Sequence, residues 1–406
     1  MRLADLEVIV VGNPPPGFGG RYFIFVKVTT ACGVVGWGEV YAATVGPAAM
    51  GAVIADVFAR HMAGENPENV EAMFRRTYSA GFTQRPDPTV MGAFSGLEIA
   101  CWDIVGKARD RPVHALWGGR IRDRLRAYTY LYPRPDQEPA AFYNDPDASA
   151  EAAARAVERD RFTAVKFDPA GPYTIHGGRQ PTMADLDRAE AFCRSIRAAV
   201  GDRADLLFGT HGQFTTSGAI RMARRIEPYD PLWFEEPVPP DNAAEMGRVA
   251  AATRAPVAAG ERLTTKQEFA ALLRAGGAAI VQPSLGRVGG LLEARKVAAL
   301  AEGFNAQVAP HHYAGPIAWA AAAQLAATIP NFLILETIGT GGGFHADLVG
   351  GAPDWDDGFV RLSERPGLGV ELDEAVARAH PWTGERLHLE MSAAEADPRG
   401  DRFGGG

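Results

Sequence analysis

The stretch from Asp205 to Glu236 reads DLLFGTHGQFTTSGAIRMARRIEPYDPLWFEE, and it forms one strand–helix–strand unit. Asp205-Leu206-Leu207-Phe208 is a short apolar run stopped by Gly209-Thr210-His211. Ser217 to Arg225 has helical spacing, and Leu232-Trp233-Phe234 is a second short run stopped by Glu235-Glu236. The same grammar repeats on both sides, with runs at Ala127–Tyr130, Ala164–Phe167, Val257–Ala259, Ala279–Val281, Gln307–Ala309 and Phe332–Leu335, and helical segments such as Leu291 to Glu302 between them. Eight alternating units over roughly 210 residues predict an α/β fold built on a (β/α)8 TIM-type barrel rather than an open doubly wound sheet, which usually has fewer strands. No glycine-rich dinucleotide fingerprint follows any run.

In such a barrel, chemistry sits where strands end at the C-terminal face. The second run delivers Lys166 and Asp168, the third His211, the fourth Glu235 and Glu236, and the fifth Glu261 and Arg262. The sixth delivers Gln282 and Ser284, the seventh His311 and His312, and the eighth Glu336. Carboxylates gathered from neighbouring strands repel one another unless a cation sits between them. Hard oxygen ligands with few cysteines predict Mg²⁺, with Mn²⁺ as the alternative, rather than zinc. Two histidines on other strands would then flank the metal as an acid/base pair. Taken singly, each group has a plainer reading. Glu235-Glu236-Pro237 suits a solvated helix start, His211 a turn residue given its flanking glycines, and His311-His312 a structural pair. Lys166 suits a strand-end lysine reaching for water, and Asp168 before Pro169 a turn acid. Their shared position after apolar runs favours chemistry.

The remainder frames the barrel. Residues 1–125 read as an α+β capping domain: a strand at Tyr22–Thr29, a turn and returning strand over Ala31–Val40, then helices, the clearest over Gly92–Arg109. Residues 126–360 hold the barrel, 361–392 return to the cap, and 393–406 form a polar, Gly-rich segment expected to be mobile. A net charge of −8 without a basic run predicts neither a nucleic-acid nor a membrane-surface partner. Cys32, Cys101 and Cys193 have no disulfide or zinc spacing and are expected to be buried free thiols. The N-terminus lacks an apolar signal core and no run reaches membrane-span length, so the expected location is cytoplasmic.

Several motifs in order carry a family resemblance: Leu232-Trp233-Phe234-Glu235-Glu236-Pro237, Ala258-Ala259-Gly260-Glu261-Arg262, Gln282-Pro283 with Gly289-Gly290, and Ala309-Pro310-His311. Gly33 to Glu39, Ala100 to Lys107 and Pro366 to Val370 extend it over nearly the whole chain. Together they resemble the enolase superfamily, in its mandelate racemase/muconate-lactonizing branch, nearest to acid-sugar dehydratases of D-galactonate dehydratase type. The resemblance implies Mg²⁺-assisted removal of the proton α to a carboxylate, then loss of the β-hydroxyl to give a 2-keto-3-deoxy acid. A small acid sugar would be the substrate and the chain is expected to be a homo-oligomer. Glu235 and Glu261 match metal ligands, His211 the acid that protonates the leaving hydroxyl, His311 the base, and Glu336 the group that hydrogen-bonds the substrate carboxylate.

Two departures qualify that carry-over. Gly209 and Ser284 stand where the family has an aspartate ligand and an aspartate that orients the base. Three readings of Gly209 stay open. Asp168, on the same face of the adjacent strand as Lys166, replaces the ligand; His211 turns to the metal; or the metal is lost and the barrel repurposed. Ser284 would still hydrogen-bond His311 but leave it a weaker base, with Lys166 or His312 sharing the task. A racemase, epimerase or cycloisomerase of the same half-reaction, and a non-catalytic barrel, are the competing functions. The Pro/Gly loop Asn13–Gly20 suits a lid, with Arg21 and Tyr22 behind it, and Tyr130, Tyr132 and His312 would line the substrate pocket.

Overall fold

The protein is described by a computed structural model covering residues 1–41 and 44–395. Strands β1 (Leu3–Gly12), β2 (Tyr22–Thr30) and β3 (Val35–Val40) form an antiparallel sheet in that order. β2 is buried on both faces, which explains its unbroken apolar run. Phe23 and Phe25 join the large core shared with the barrel, while Tyr22, Ile24, Val26 and Val28 join the cap core. Helices α1 (Pro47–His61), α2 (Val70–Ser79) and α3 (Pro88–Ala108) cover that second face. α3 begins earlier than its periodicity suggests, because Asp87 accepts from the Thr89 and Val90 N–H groups as an N-cap.

Eight parallel strands follow: β4 (Arg124–Tyr130), β5 (Ala164–Phe167), β6 (Asp205–Gly209), β7 (Trp233–Glu235), β8 (Val257–Ala259), β9 (Ile280–Val281), β10 (Gln307–Val308) and β11 (Leu335–Thr337). They pair in chain order from β4 to β10. β11 pairs back onto β4, and a Val308↔Phe332 bridge closes the ring. Side chains alternate with period two. One from each strand fills the interior: Tyr128, Ala164, Leu207, Trp233, Ala258, Ile280, Ala309 and Ile334. Two residues further along lie Tyr130, Lys166, Gly209, Glu235, Gly260, Gln282, His311 and Glu336. The polar ring at the mouth is therefore the next layer of the same register.

Buried carboxylates join cap to barrel. Glu39, on β3, accepts from Gly315 N–H (2.5 Å) and Ala318 N–H (2.9 Å), at the start of the helix Pro316–Thr328. Glu98, on α3, accepts from Leu291 N–H (2.8 Å) and Leu292 N–H (3.0 Å), at the start of the helix Gly290–Gly303. Asp103 accepts from Trp37 N–H and Leu368 N–H, both at 2.9 Å, tying in the returning C-terminal segment. Each satisfies donors that a helix end or loop would otherwise leave orphaned. The approach is close: at Gly290, φ +84°, an added Cβ would lie 2.0 Å from Glu98 Oε2. The return segment also pairs Pro381 with Val11 and packs Trp382 on Tyr22.

Cys101 and Cys193 are buried, but Cys32 is exposed in the β2–β3 turn, because that turn points away from both cores. Of the expected tail, residues 396–406 lie outside the described residues. Among the described residues no helix is long and apolar enough to cross a membrane.

Gly290→Ala should cost on the order of 2–4 kcal/mol through clash and a strained left-handed backbone, read as a lower melting temperature. Gly303→Ala, with open space around it, should stay within about 0.5 kcal/mol of wild type. Burial pushes the Glu98 carboxyl up to about 8 and that of Glu39 up to about 7, against 4.5 for an ordinary glutamate. Between those limits these two groups bind more protons in the folded chain than in the unfolded one, so their contribution to stability falls as pH rises. Buried histidines such as His345 and His388, pushed down to about 4, pull the other way, so the test is a difference: the melting temperature of Glu98→Gln relative to wild type should rise from pH 5 to pH 8, and a constant difference would contradict the assignment.

Candidate active site

Lys166 lies at the centre of the polar ring, fully buried, with Nζ 2.6 Å from Glu235 Oε1 and 3.5 Å from Glu336 Oε1. Burial works against its charge, but Glu235, Glu336 and Glu261 outweigh it and hold the ammonium above its usual range. Carboxylates on two sides thus favour the charged form of Lys166. Gln282 Nε2 donates to Glu235 Oε2 at 2.9 Å, so both oxygens of Glu235 are engaged. Glu336 accepts from His312 N–H at 2.8 Å, and burial lifts its carboxyl to about 7.

The two histidines sit in opposite electrostatic states. Asp168 Oδ2 is 2.6 Å from His211 Nδ1, and the Tyr173 hydroxyl is 3.2 Å from the same nitrogen. Burial alone would neutralise His211; the Asp168 carboxylate overrides it and lifts the imidazole to about 9. His311 has no such partner. It bridges in register with Ser284, yet its Nδ1 is buried without a hydrogen-bond partner among the described residues. Ser284 thus does not supply the hydrogen bond expected of it, its side chain being shorter than the aspartate it replaces. Burial drives His311 down to about 3, despite Glu261 Oε2 at 3.5 Å from its Nε2. We take His311 as neutral and Glu261 as ionised. Burial opposes the Glu261 charge, and the imidazoles of His311 and His211 together with Lys166 and Arg262 hold its carboxyl below the usual range.

Gly209 explains how Asp168 reaches His211. A Cβ at position 209 would lie 3.2 Å from Asp168 Oδ2, so the carboxylate of β5 rests against the face of β6 that an aspartate there would occupy. Its other oxygen accepts from Ala170 N–H at 2.9 Å. Asp168, expected in place of the missing ligand, is thus held by an imidazole and a backbone donor, as Glu235 is held by Lys166 and Gln282.

The donor set bears on a divalent cation. Glu235 and Glu261 stand at the ends of neighbouring strands, and Glu261 Oε2 is buried with no hydrogen-bond partner among the described residues. Such an oxygen suits a cation. Among the described residues no three His, Cys, Asp or Glu groups gather around one point, so a full protein cage is absent. Mg²⁺ commonly takes only one or two carboxylates, with substrate oxygens and waters completing its shell, and that is the fit these residues offer.

The predicted pocket lining divides. Tyr130 places its ring 5.6 Å from Lys166 Nζ. Tyr132 stacks at 4.0 Å on Phe18, from the Asn13–Gly20 loop, which brings that loop to the barrel mouth; the buried Tyr132 hydroxyl has no hydrogen-bond partner among the described residues. His312 contributes its backbone N–H to Glu336, while burial holds its imidazole well below its usual range. Arg21 and Tyr22 do not line the pocket. Arg21 donates to Leu387 O at 2.8 Å and lies 3.6 Å from Glu390, and Tyr22 packs between Trp382 and His388 on the cap side of β2.

Sequence reading missed two contributors, Tyr41 and Tyr173, and named Arg262 without giving it a role. Tyr41, just past β3, is buried with its ring 5.9 Å from that of His311, and Arg287 stacks on it. Tyr173 meets His211, and Arg262 pairs with the buried Glu236 at 2.8 Å. An aromatic a few residues past a strand end was the signal for both tyrosines, though loops carry such residues too often for it to decide anything alone.

Comparisons with known proteins agree with this architecture. Residues 18–118 match the family described as the mandelate racemase / muconate lactonizing enzyme N-terminal domain, and 148–376 match the enolase C-terminal domain-like family. The chain is 35% identical to D-xylonate dehydratase of Haloferax volcanii, over 96% of each chain. It is 34% identical to D-galactonate dehydratase of Ralstonia nicotianae, over 87% of this chain and 90% of that one. A crystal structure described as mandelate racemase/muconate lactonizing enzyme from Sulfitobacter sp. superposes with a TM-score of 0.96 at 63% identity, covering 98% of this chain and 100% of that one. The closed ring of eight strands, the cap locked onto it and the strand-end acids have one explanation: the chain belongs to the mandelate racemase/muconate lactonizing enzyme family of the enolase superfamily.

Proposed function

We propose that the chain is a dehydratase of acid sugars, removing the proton α to the substrate carboxylate and expelling the β-hydroxyl to leave a 2-keto-3-deoxy acid. The observation that carries this reading is the pair of imidazoles on opposite sides of the mouth, His211 bonded to the Asp168 carboxylate and His311 without such a partner among the described residues, an arrangement that suits the first to donate a proton and the second to accept one. The dehydratase names of relatives at 34–35% identity support it.

His311 takes up the α-proton at Nε2, with Nδ1 keeping its hydrogen. Lacking an orienting carboxylate it is a weak base, so the α-proton has to be acidified by neighbouring charge. Held between Glu235 and Glu261, Mg²⁺ would supply that charge, stabilising the enediolate as it forms. Lys166 adds a fixed cation that needs no reorganisation. Glu336, its carboxyl lifted to about 7, is protonated often enough to donate to the substrate carboxylate. His211, with Nδ1 bound to Asp168, presents Nε2–H to the β-hydroxyl. The C–O bond breaks as that proton transfers, water leaves, and the enol tautomerises to the keto acid. The unpartnered Tyr132 hydroxyl would hydrogen-bond a sugar hydroxyl.

Incubation with Mg²⁺ and a panel of aldonic and aldaric acids, D-xylonate and D-galactonate among them, should yield a 2-keto acid detected with semicarbazide. No product across the panel, with calorimetry showing Mg²⁺ bound, would sink the dehydratase reading. Deuterium entering the α position without loss of hydroxyl would select a racemase or epimerase instead.

His211→Asn should lower elimination by about 10²–10⁴-fold while α-deuterium exchange continues, whereas His311→Asn should stop both. Asp168→Asn should slow elimination with Mg²⁺ affinity within about threefold of wild type; a loss of affinity above about tenfold, equivalent to 1.4 kcal/mol, would return Asp168 to the ligand set.

A further inference from the structure

The chain from Arg386 to Ala393 runs across the barrel mouth and touches three of its walls. At the cap loop, Arg21 donates its backbone N–H to His388 O (3.3 Å) and its guanidinium to Leu387 O (2.8 Å). The fit is tight enough that a Cβ at Gly20, φ +108°, would lie 1.8 Å from the His388 ring. At the loop after β10, His388 Nε2 lies 3.1 Å from Tyr313 O, while its Nδ1 lies 2.9 Å from Tyr22 O. At the loop after β5, Ser392 donates its N–H to Tyr173 O (2.8 Å) and accepts from Ile175 N–H (3.0 Å), pairing in parallel with Thr174.

Two of these contacts lead to the histidines of the site. The Tyr41 ring lies 5.2 Å from that of His388 on one side and 5.9 Å from that of His311 on the other. Tyr173, pinned through its backbone by Ser392, sets its hydroxyl on His211 Nδ1. The loop carrying Tyr173 contains no helix or strand between residues 168 and 182, and its two bridges are Thr174↔Ser392 and Arg179↔Phe214. Gln213, Arg179 and Arg188 side chains also hold the loop's backbone, Gln213 at Thr174 N–H, but the main-chain partner of Tyr173 itself is a segment more than two hundred residues away in sequence, |i−j| = 217 for the adjoining contact of His176 with Ala393.

We propose that this strap is a positioning element for the acid half of the reaction: main-chain pairing of Ser392 with the β5 loop fixes Tyr173 against His211 and so aims its Nε2–H at the leaving hydroxyl. The proposal rests on the dehydration set out above. A backbone group does the holding, so the N–H at 392 is required, while the Ser392 hydroxyl, which among the described residues accepts only from Ala394 N–H within the exposed strap, is not. Loosening the strap there disturbs proton delivery by His211 and leaves proton removal by His311, on the opposite wall, largely intact.

Ser392 is exposed, so substitution there does not threaten the core. Ser392→Pro deletes the N–H, and Ser392→Ala keeps it. Two readouts apply: amide hydrogen exchange over residues 171–179, and the ratio of elimination to α-deuterium exchange on an acid sugar. Ser392→Pro should lose protection at 173–175 and slow elimination about tenfold, since small misplacements of a catalytic group are costly, with α-exchange within about twofold. Ser392→Ala should match wild type in both. Unchanged protection in Ser392→Pro overturns the proposal, as does lost protection with an unaltered ratio, which would make the strap merely structural. Should wild type perform neither reaction, the dehydratase reading falls and amide exchange alone judges the strap, with unchanged protection again counting against it.

Discussion

A carboxylate buried against the N-terminus of a helix in the other domain is the interaction on which this molecule's arrangement depends. Glu39 and Glu98 belong to the cap, yet the N–H groups they satisfy open the helices that follow β10 and β9. Those strands carry His311 and Gln282 to the mouth. Removing either acid would leave buried donors unpaired, at a cost of about 1–3 kcal/mol each. The same contact sets the position of Tyr41. It lies two residues beyond Glu39, its N–H donates to Gly286 O at 3.1 Å, and it is thereby brought against His311. Cap and catalytic face are thus fixed by one set of bonds.

The site applies the same rule, that a buried charge needs a partner, to a different end. Lys166 offsets Glu235 in the ring, with Glu336 at 3.5 Å lifted to about 7, and Arg262 offsets Glu236 behind it. Among the described residues, Glu261 and His311 stand apart from this pairing. Glu261 keeps an oxygen without a hydrogen-bond partner and His311 a nitrogen without one. Buried, unsatisfied polar atoms are rare and need an explanation. Here both sit beside the place where a substrate would enter. Asp168 is the opposite case, fully engaged, and its engagement follows from the empty side-chain position at Gly209.

Much of this was legible in the chain. The eight runs could be read because strand ends are local events, marked by a change from apolar to polar residues over two or three positions. Strand-end loading picked out Lys166, Glu235, His311 and Glu336, which share one layer, and His211 and Glu261, which follow Gly209 and Gly260 of that layer, for the same reason. Same-face adjacency also put Asp168 beside position 209. What adjacency could not tell was which neighbour would claim the carboxylate, since an imidazole and a cation are equally good partners on paper. Arg21 and Tyr22 went astray because β2 is buried on both faces. Its alternation sends Phe23 and Phe25 toward the barrel and Tyr22 into the cap, and an all-apolar run hides that phase. The strap was invisible because its pairings, such as Arg21 with Leu387 at |i−j| = 366, leave no periodic trace.

That long-range closure has a consequence for the order in which the molecule comes into being. Chains emerge N-terminus first, and contacts between distant residues form only after the loop-closure entropy between them has been met. The cap sheet uses residues 3–40 and can form early, while its acids wait for helices beginning near 290 and 316. The mouth waits longer still, until residues beyond 386 have been made. A ribosome-bound chain that stops short of them carries the whole ring of strands and still lacks the backbone partners of Arg21 and Tyr173, so the mouth is completed only after the barrel itself has been made.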